Sequence, residues 1–187
     1  MRIATCTLES VSPYSQSRKH DEPKLAKEGA DDYEHRTWRS KLHVTEDGHV
    51  FIPPMAFKNC IDECAKFLSI QVPGKGKSTY TRHFEAGILV IDGLVLAAKA
   101  ADIPGEWLWM NADGVHGSGK RVKRCFPLIK DWSGAVTFYV ADMTITEEVF
   151  EQHLHEAGQF IGIGRFRPRN RGFYGRFAVK KIKWTNQ

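Results

Sequence analysis

Residues 158–187 carry the strongest chemical character in this sequence, because arginine and glycine recur there at short intervals. The segment has five glycines, and four arginines stand at every second position: Arg165, Arg167, Arg169 and Arg171. From Arg165 onward there are eight Lys/Arg and no Asp or Glu, so the preceding residues carry a net −3 within the total formal charge of +5. Guanidinium groups hold phosphates through paired N–H donors, and glycines let a backbone approach a ligand closely. The pattern predicts a binding site for a nucleic-acid backbone and favours a single strand.

The predicted contacts centre on residues 162–176, which we call the Gly/Arg loop. In this loop the predicted RNA-binding residues are Gly162, Gly164, Arg165, Arg167, Arg169, Arg171, Gly172 and Arg176. At least one of Gly164 and Gly172 is expected to adopt a backbone conformation closed to residues with side chains. The alternative is a flexible surface turn whose arginines serve solubility, although such turns usually mix both signs of charge.

A second basic segment lies in another glycine-bearing loop. Its cations are Lys120, Arg121, Lys123 and Arg124. They are predicted to contact the same nucleic-acid strand, and the alternative is that they lie at a solvated hairpin tip. Five aromatic residues are interleaved with basic ones, namely Trp38, Tyr80, Phe166, Phe173 and Tyr174. We expect core packing to take at least one of these rings and leave the others to stack on bases.

The order of the residues reveals no catalytic or metal-binding constellation. The eight histidines include no His-x-x-x-His pair, the acids are dispersed, and the four cysteines form no CxxC pair. We therefore expect no cofactor, no metal site and no nuclease activity. His20 is the fallback catalytic residue, because metal-independent RNA cleavage needs a general base and a cation, such as Lys19, for the departing oxygen. The cysteines are expected to be buried free thiols in a reducing cytoplasm.

Segments with clear periodicity must hold these residues in place. A strand is predicted at residues 2–11, and a helix opening at Pro53-Pro54 has an apolar face made of Cys60, Ile61, Cys64, Phe67 and Leu68. Further strands, a second helix over residues 144–158 and a last strand follow. The order β-α-β-β-α-β predicts an α+β fold with a ferredoxin-like, RRM-type core.

The length and composition predict one domain over residues 1–187. Loops are expected to be inserted into it at about residues 12–42, 71–85 and 111–124. No apolar run approaches the roughly 18 residues needed to span a membrane, so a cytoplasmic protein is expected.

Two motifs together suggest a family. Ile52 and Pro53 are followed by Phe57 and Lys58, and later comes a glycine-rich loop that contains Gly162, Gly164, Arg165, Arg171, Gly172 and Gly175. These motifs resemble the repeat-associated mysterious protein (RAMP) superfamily of CRISPR effector proteins, and within it the backbone subunits that coat guide RNA. They occupy about a fifth of the chain and follow the family's order. The motif sequences differ from those usual in the family, which indicates a divergent member, of the kind that a phage or other mobile element encodes.

The resemblance implies non-catalytic binding of single-stranded, guide-like RNA as repeated copies in a ribonucleoprotein that serves antiviral defence. It implies other effector subunits and a paired target strand as further partners. It also adds Lys58, Arg18 and Lys19 to the predicted RNA-binding residues. Asp21 becomes a second fallback catalytic residue, because some members of the family cut target RNA with an aspartate near this place.

Two alternatives to RNA coating stay open. A metal-independent endoribonuclease that processes guide precursors would leave products with a 2′,3′-cyclic phosphate. A virion or assembly protein would use its basic tail only structurally, and would neither cut RNA nor assemble on it.

Overall fold

The described residues form both helices and strands. The computed structural model describes residues 1–112, 119 and 121–186. The strands are β1 (Arg2–Ser10), β2 (Tyr14–Ser15), β3 (His49–Ile52), β4 (Ile88–Leu89), β5 (Leu94–Lys99), β6 (Gly105–Asn111), β7 (Arg121–Ile129), β8 (Ser133–Val140) and β9 (Phe177–Asn186). The α-helices are α1 (Ala30–Thr37), α2 (Pro54–Leu68), α3 (Thr81–Gly87) and α4 (Glu147–Glu156).

The central element is a four-stranded sheet in the order β4-β8-β1-β9, in which every neighbouring pair is antiparallel. Alternation along β1 turns Ala4, Cys6 and Leu8 into the core. Helix α2 lies between β1 and β4 in the chain, and α4 lies between β8 and β9. This strand order and connectivity confirm the predicted α+β fold with a ferredoxin-like core.

Helices α2 and α4 share one hydrophobic core with the inward side chains of the sheet. Helix α2 begins at Pro54, where a missing N–H removes no helical hydrogen bond. Helix α4 begins after Thr146, whose hydroxyl accepts a hydrogen bond from the Val149 N–H and caps the helix. Immediately after α4 the chain continues as a π-helix, Ala157–Ile161.

The apolar face predicted for α2 is correct except at its last turn. Cys60, Ile61 and Cys64 are buried as expected, but Phe67 is 53 % exposed. The prediction for Phe67 is wrong because its ring meets the ring of Phe160 at the surface instead of entering the core.

Two smaller sheets extend the core, and one of them contains Arg121, Lys123 and Arg124 in β7. One has the order β2-β7-β6, and the other pairs β3 with β5. The predicted insertion at residues 12–42 contains β2 and α1, and that at 71–85 contains most of α3. Residues 113–118 and Lys120 of the third predicted insertion lie outside the described residues. The single-domain organisation stays a prediction.

The four cysteines are free and buried, as expected. Burial raises the pKa of the Cys6 and Cys64 thiols to about 12 and that of Cys125 to about 11, so these thiols stay protonated near neutral pH. In the described part of the chain no helix is both long and apolar enough to cross a bilayer.

Candidate nucleic-acid interface

The Gly/Arg loop has a defined shape because it docks on β2. The Arg165 N–H donates a hydrogen bond of 2.9 Å to the Ser15 carbonyl, and the Gly175 N–H donates one of 2.7 Å to the Pro13 carbonyl. Gly164 has a φ of +76°, and a Cβ there would lie 2.4 Å from Cε2 of Tyr14. The prediction that Gly164 or Gly172 is closed to side chains is therefore confirmed at Gly164. Gly172 is closed to a side chain by steric conflict alone, since a Cβ would lie 1.8 Å from the Phe166 carbonyl oxygen.

Arg165 is an anchor that joins the loop to β6. One of its terminal nitrogens lies 3.1 Å from Oε2 of Glu106, and its guanidinium stacks 3.9 Å from the ring centroid of Phe126. The Tyr174 hydroxyl donates to the other oxygen of Glu106. Burial lowers the pKa of Arg165 and raises that of Tyr174 to about 12, yet both keep their usual protonation state near neutral pH. Only 10 % of the Arg165 side chain is exposed.

The remaining loop arginines divide into paired and unpaired groups. Arg167 pairs with Glu63 of α2 at 3.0 Å, and Arg176 donates from Nε to the Gln159 carbonyl at 3.2 Å. Arg169 and Arg171 are exposed, and neither forms an ion pair with any residue that the structure describes. The loop therefore presents two guanidinium groups that are free to bind an anion.

A groove of about 390 Å³ runs between the Gly/Arg loop and the beginning of α2. Its walls include Gly164, Arg165 and Arg167 on one side and Met55 and Asn59 on the other. Gln16 helps to hold the connecting segment, because its amide donates to the Phe51 carbonyl and accepts from the His43 N–H, both at 2.7 Å. The mixture of apolar and polar walls suits a nucleotide chain.

Ser17 lines both this groove and a second, basic hollow of about 400 Å³. The second hollow is lined by Arg18, Lys19, His20 and Arg124. Predicted residues of the Gly/Arg loop line the groove, those of the polar segment and β7 line the second hollow, and Ser17 belongs to both linings.

A buried carboxylate, that of Glu34, joins helix α1 to β7. No local pattern in the sequence indicates that this side chain is buried. Glu34 is 2 % exposed and accepts hydrogen bonds from Lys41 Nζ, from Arg124 at 3.0 Å and from the Cys125 N–H at 2.7 Å. Burial raises the pKa of Glu34, but these three donors outweigh burial and hold it below its usual value. Glu34 therefore holds Lys41 and Arg124 in the wall of the basic hollow, and its negative charge offsets part of the positive charge there.

Other predicted residues lie apart from the groove. The Lys58 ammonium pairs with Asp62 and donates to the carbonyls of Phe84 and Glu85 at 3.2 and 3.1 Å. Lys123 lies over the ring of Trp107 at 5.0 Å, and Arg121 is exposed at the start of β7. Lys120 lies outside the described residues. Of the five aromatic residues considered for base stacking, Trp38, Tyr80 and Tyr174 are buried. Phe166 and Phe173 are 46 % and 57 % exposed.

The fallback catalytic residues do not form a recognisable acid–base cluster. The His20 ring is half-buried and stacks on Tyr33 with 6.3 Å between centroids, while Asp21 is exposed. In the described residues no group of three or more His, Cys, Asp or Glu side chains is arranged to hold a metal ion.

Comparisons with known proteins find similarity of structure. No family model matches the chain, and no curated protein matches it. Cmr6 from Pyrococcus furiosus is similar with a TM-score of 0.48 and 14 % identity, over 96 % of this chain and 99 % of that chain. A chain of a CRISPR RNA-guided surveillance complex is similar with a TM-score of 0.41 and 8 % identity, over 97 % of this chain and 68 % of that chain.

Proposed function

We propose that this protein binds single-stranded, guide-like RNA without cutting it, as repeated copies in a cytoplasmic ribonucleoprotein of an antiviral effector system. The observation that carries the proposal is the pair of unpaired guanidinium groups, Arg169 and Arg171, on a shaped loop beside a groove. Arginines that already have acidic partners would give up an ion pair to bind phosphate, but these two would not.

The roles of the loop residues follow from their contacts. Arg169 and Arg171 bind phosphates, while Arg165 and Arg167 position the loop through Glu106 and Glu63. Gly164 allows the loop to lie directly on Tyr14. The strand then follows the groove toward the second hollow, where Arg18 and Lys19 supply further positive charge.

A single strand fits this surface better than a duplex. Two exposed rings, Phe166 and Phe173, lie within the loop. Exposed aromatic rings bind unpaired bases by stacking, and a duplex keeps its bases stacked on one another. Neighbouring copies, other effector subunits and a target strand paired with the guide are the further partners of this proposal.

The endoribonuclease alternative is favoured by one observation, the location of His20 beside Lys19 in the second hollow. A general base and a cation would then lie on the proposed RNA path. Cleavage products with a 2′,3′-cyclic phosphate would support this alternative and contradict non-catalytic binding.

The proposal is tested by purifying the protein without nuclease treatment and sequencing the nucleic acid that accompanies it. We expect intact RNA of defined length, protected at regular intervals by successive copies of the protein. Matched purification of an Arg169→Ala/Arg171→Ala variant is expected to yield much less RNA. Recovery of DNA alone, or of no nucleic acid from the wild-type protein, would contradict the proposal.

A further inference from the structure

We infer that Phe67 and Phe160 form a platform on which unpaired bases of the bound strand stack, next to the Gly/Arg loop. This inference rests on the proposed function and extends the binding surface to residues outside the groove. Phe67 lies in the last turn of α2 and Phe160 in the π-helix after α4. Their ring centroids are 5.9 Å apart and the planes are tilted by 35°.

Neither ring serves the core. Phe67 is 53 % exposed and Phe160 is 44 % exposed, although each helix also contributes fully buried residues nearby. Cys64 precedes Phe67 by three residues and Ile161 follows Phe160 directly, and both are 0 % exposed. Two large apolar side chains in contact at the surface leave apolar area in water, and a ligand that covers this area gains hydrophobic free energy.

The π-helix is what brings Phe160 to the surface. The Gly162 N–H donates to the Ala157 carbonyl at 2.9 Å, five residues back, which is the wide hydrogen-bonded turn of a π-helix. This turn keeps Ala157 and Ile161 buried while Phe160 points outward. Short π-helical turns occur frequently at functional sites, and this one leads directly into the Gly/Arg loop.

The charges around the two rings favour a nucleotide as the occupant. Glu63, one turn before Phe67 on α2, is the acidic residue that links this helix to the loop, and Arg167 pairs with it at 3.0 Å. The turn Pro168–Asn170, which carries Arg169, packs against the π-helix. Arg169 has no acidic partner in the described residues. A strand whose phosphates bind Arg169 would therefore have its bases beside the two rings.

The experiment distinguishes stacking of bases on the two rings from general apolar contact. The affinity of a 12-nucleotide oligoadenylate is measured for the wild-type protein and for Phe67→Ala/Phe160→Ala, Phe67→Leu/Phe160→Leu and Phe67→Trp. A ribose–phosphate oligomer of the same length without bases serves as the second probe. Met143→Ala is the control for loss of an exposed apolar side chain, since Met143 is 70 % exposed.

The double alanine variant is expected to bind oligoadenylate about 5- to 100-fold more weakly than the wild-type protein. Its affinity for the baseless oligomer should not change, because no charge is removed. The double leucine variant should also lose affinity, whereas Phe67→Trp and Met143→Ala should bind like the wild type. All variants should retain the wild-type melting temperature within a few degrees, because the substituted side chains are exposed.

Three results would overturn the platform while leaving the proposed function intact. They are unchanged oligoadenylate affinity in the double alanine variant, wild-type affinity in the double leucine variant, and equal losses for both probes. Loss of RNA-free self-association in sedimentation, without any change in RNA affinity, would assign the rings to contact between copies instead. Failure of the wild-type protein to bind either probe would contradict the proposed function and the platform together.

Discussion

At the scale of single residues, identical arginines in one loop have different roles because of the acids that reach them. Arg165 and Arg167 meet Glu106 and Glu63, which come from distant parts of the chain. Arg169 and Arg171 remain exposed and unpaired among the described residues. The alternation of arginines in the sequence could identify the loop, but it could not show which side chains were free. Ion pairing between residues far apart in the chain leaves no local pattern.

The shape of the loop is tested by Gly164→Ala. This change places a Cβ 2.4 Å from Tyr14 at a φ of +76°, so we expect the loop to leave β2 and RNA affinity to fall at least tenfold. Gly48→Ala is the matched control, because Gly48 has a φ of +82° but nothing within 4 Å of the added Cβ. Affinity is measured by fluorescence anisotropy with labelled single-stranded RNA. Equal affinities of the two variants would show that the close approach to Tyr14 has no role in binding.

At the scale of elements, strand β7 is held to helix α1 by the buried Glu34 carboxylate. Glu34→Gln removes the charge that compensates Lys41 and Arg124, and we expect a loss of about 3 kcal/mol in the free energy of unfolding. The pKa of Glu34 is lower in the folded protein than in the unfolded chain, so its contribution is present above the unfolded pKa. That contribution should disappear as the pH falls from about 4.5 through the folded pKa.

The measurement is urea unfolding of wild type and Glu34→Gln at pH 7 and at successively lower pH. The difference between them should be largest at pH 7 and shrink in acid. Glu46→Gln, a change of an exposed glutamate, is the control and should leave the unfolding free energy within about 0.5 kcal/mol of the wild-type value. A difference between wild type and Glu34→Gln that grows as the pH falls would contradict the role given to Glu34.

Much of the element order could be predicted because periodicity and turn chemistry are local. The apolar repeat identified α2, and the strand predicted at residues 2–11 is β1. Phe67 was misassigned to the core because its spacing fits the apolar face, whereas its ring lies at the surface against Phe160. The groove could not be predicted either, since it forms between the Gly/Arg loop and the beginning of α2, which lie far apart in the chain.

At the scale of the whole molecule, β2 joins the Gly/Arg loop to the sheet that contains β6 and β7, since the loop forms a hydrogen bond with Ser15 and β2 pairs with β7. We expect the protein to bind RNA without turnover, with or without magnesium. Labelled RNA incubated with wild type, His20→Ala and Asp21→Ala should stay intact in every case. Cleavage abolished by His20→Ala would establish the metal-independent endoribonuclease, and magnesium-dependent cleavage abolished by Asp21→Ala would establish a target-cutting subunit.

The most direct test of phosphate binding by the Gly/Arg loop is the salt dependence of single-stranded RNA affinity. The slope of log K against log salt concentration is compared for wild type, Arg169→Ala/Arg171→Ala and Lys181→Ala/Lys183→Ala, which removes the same charge from exposed positions of β9. Each lost phosphate contact lowers the slope by about 0.7, so the loop variant should lose about 1.4 and the β9 variant almost nothing. An unchanged slope in the loop variant, or equal losses in both variants, would contradict RNA binding by this loop.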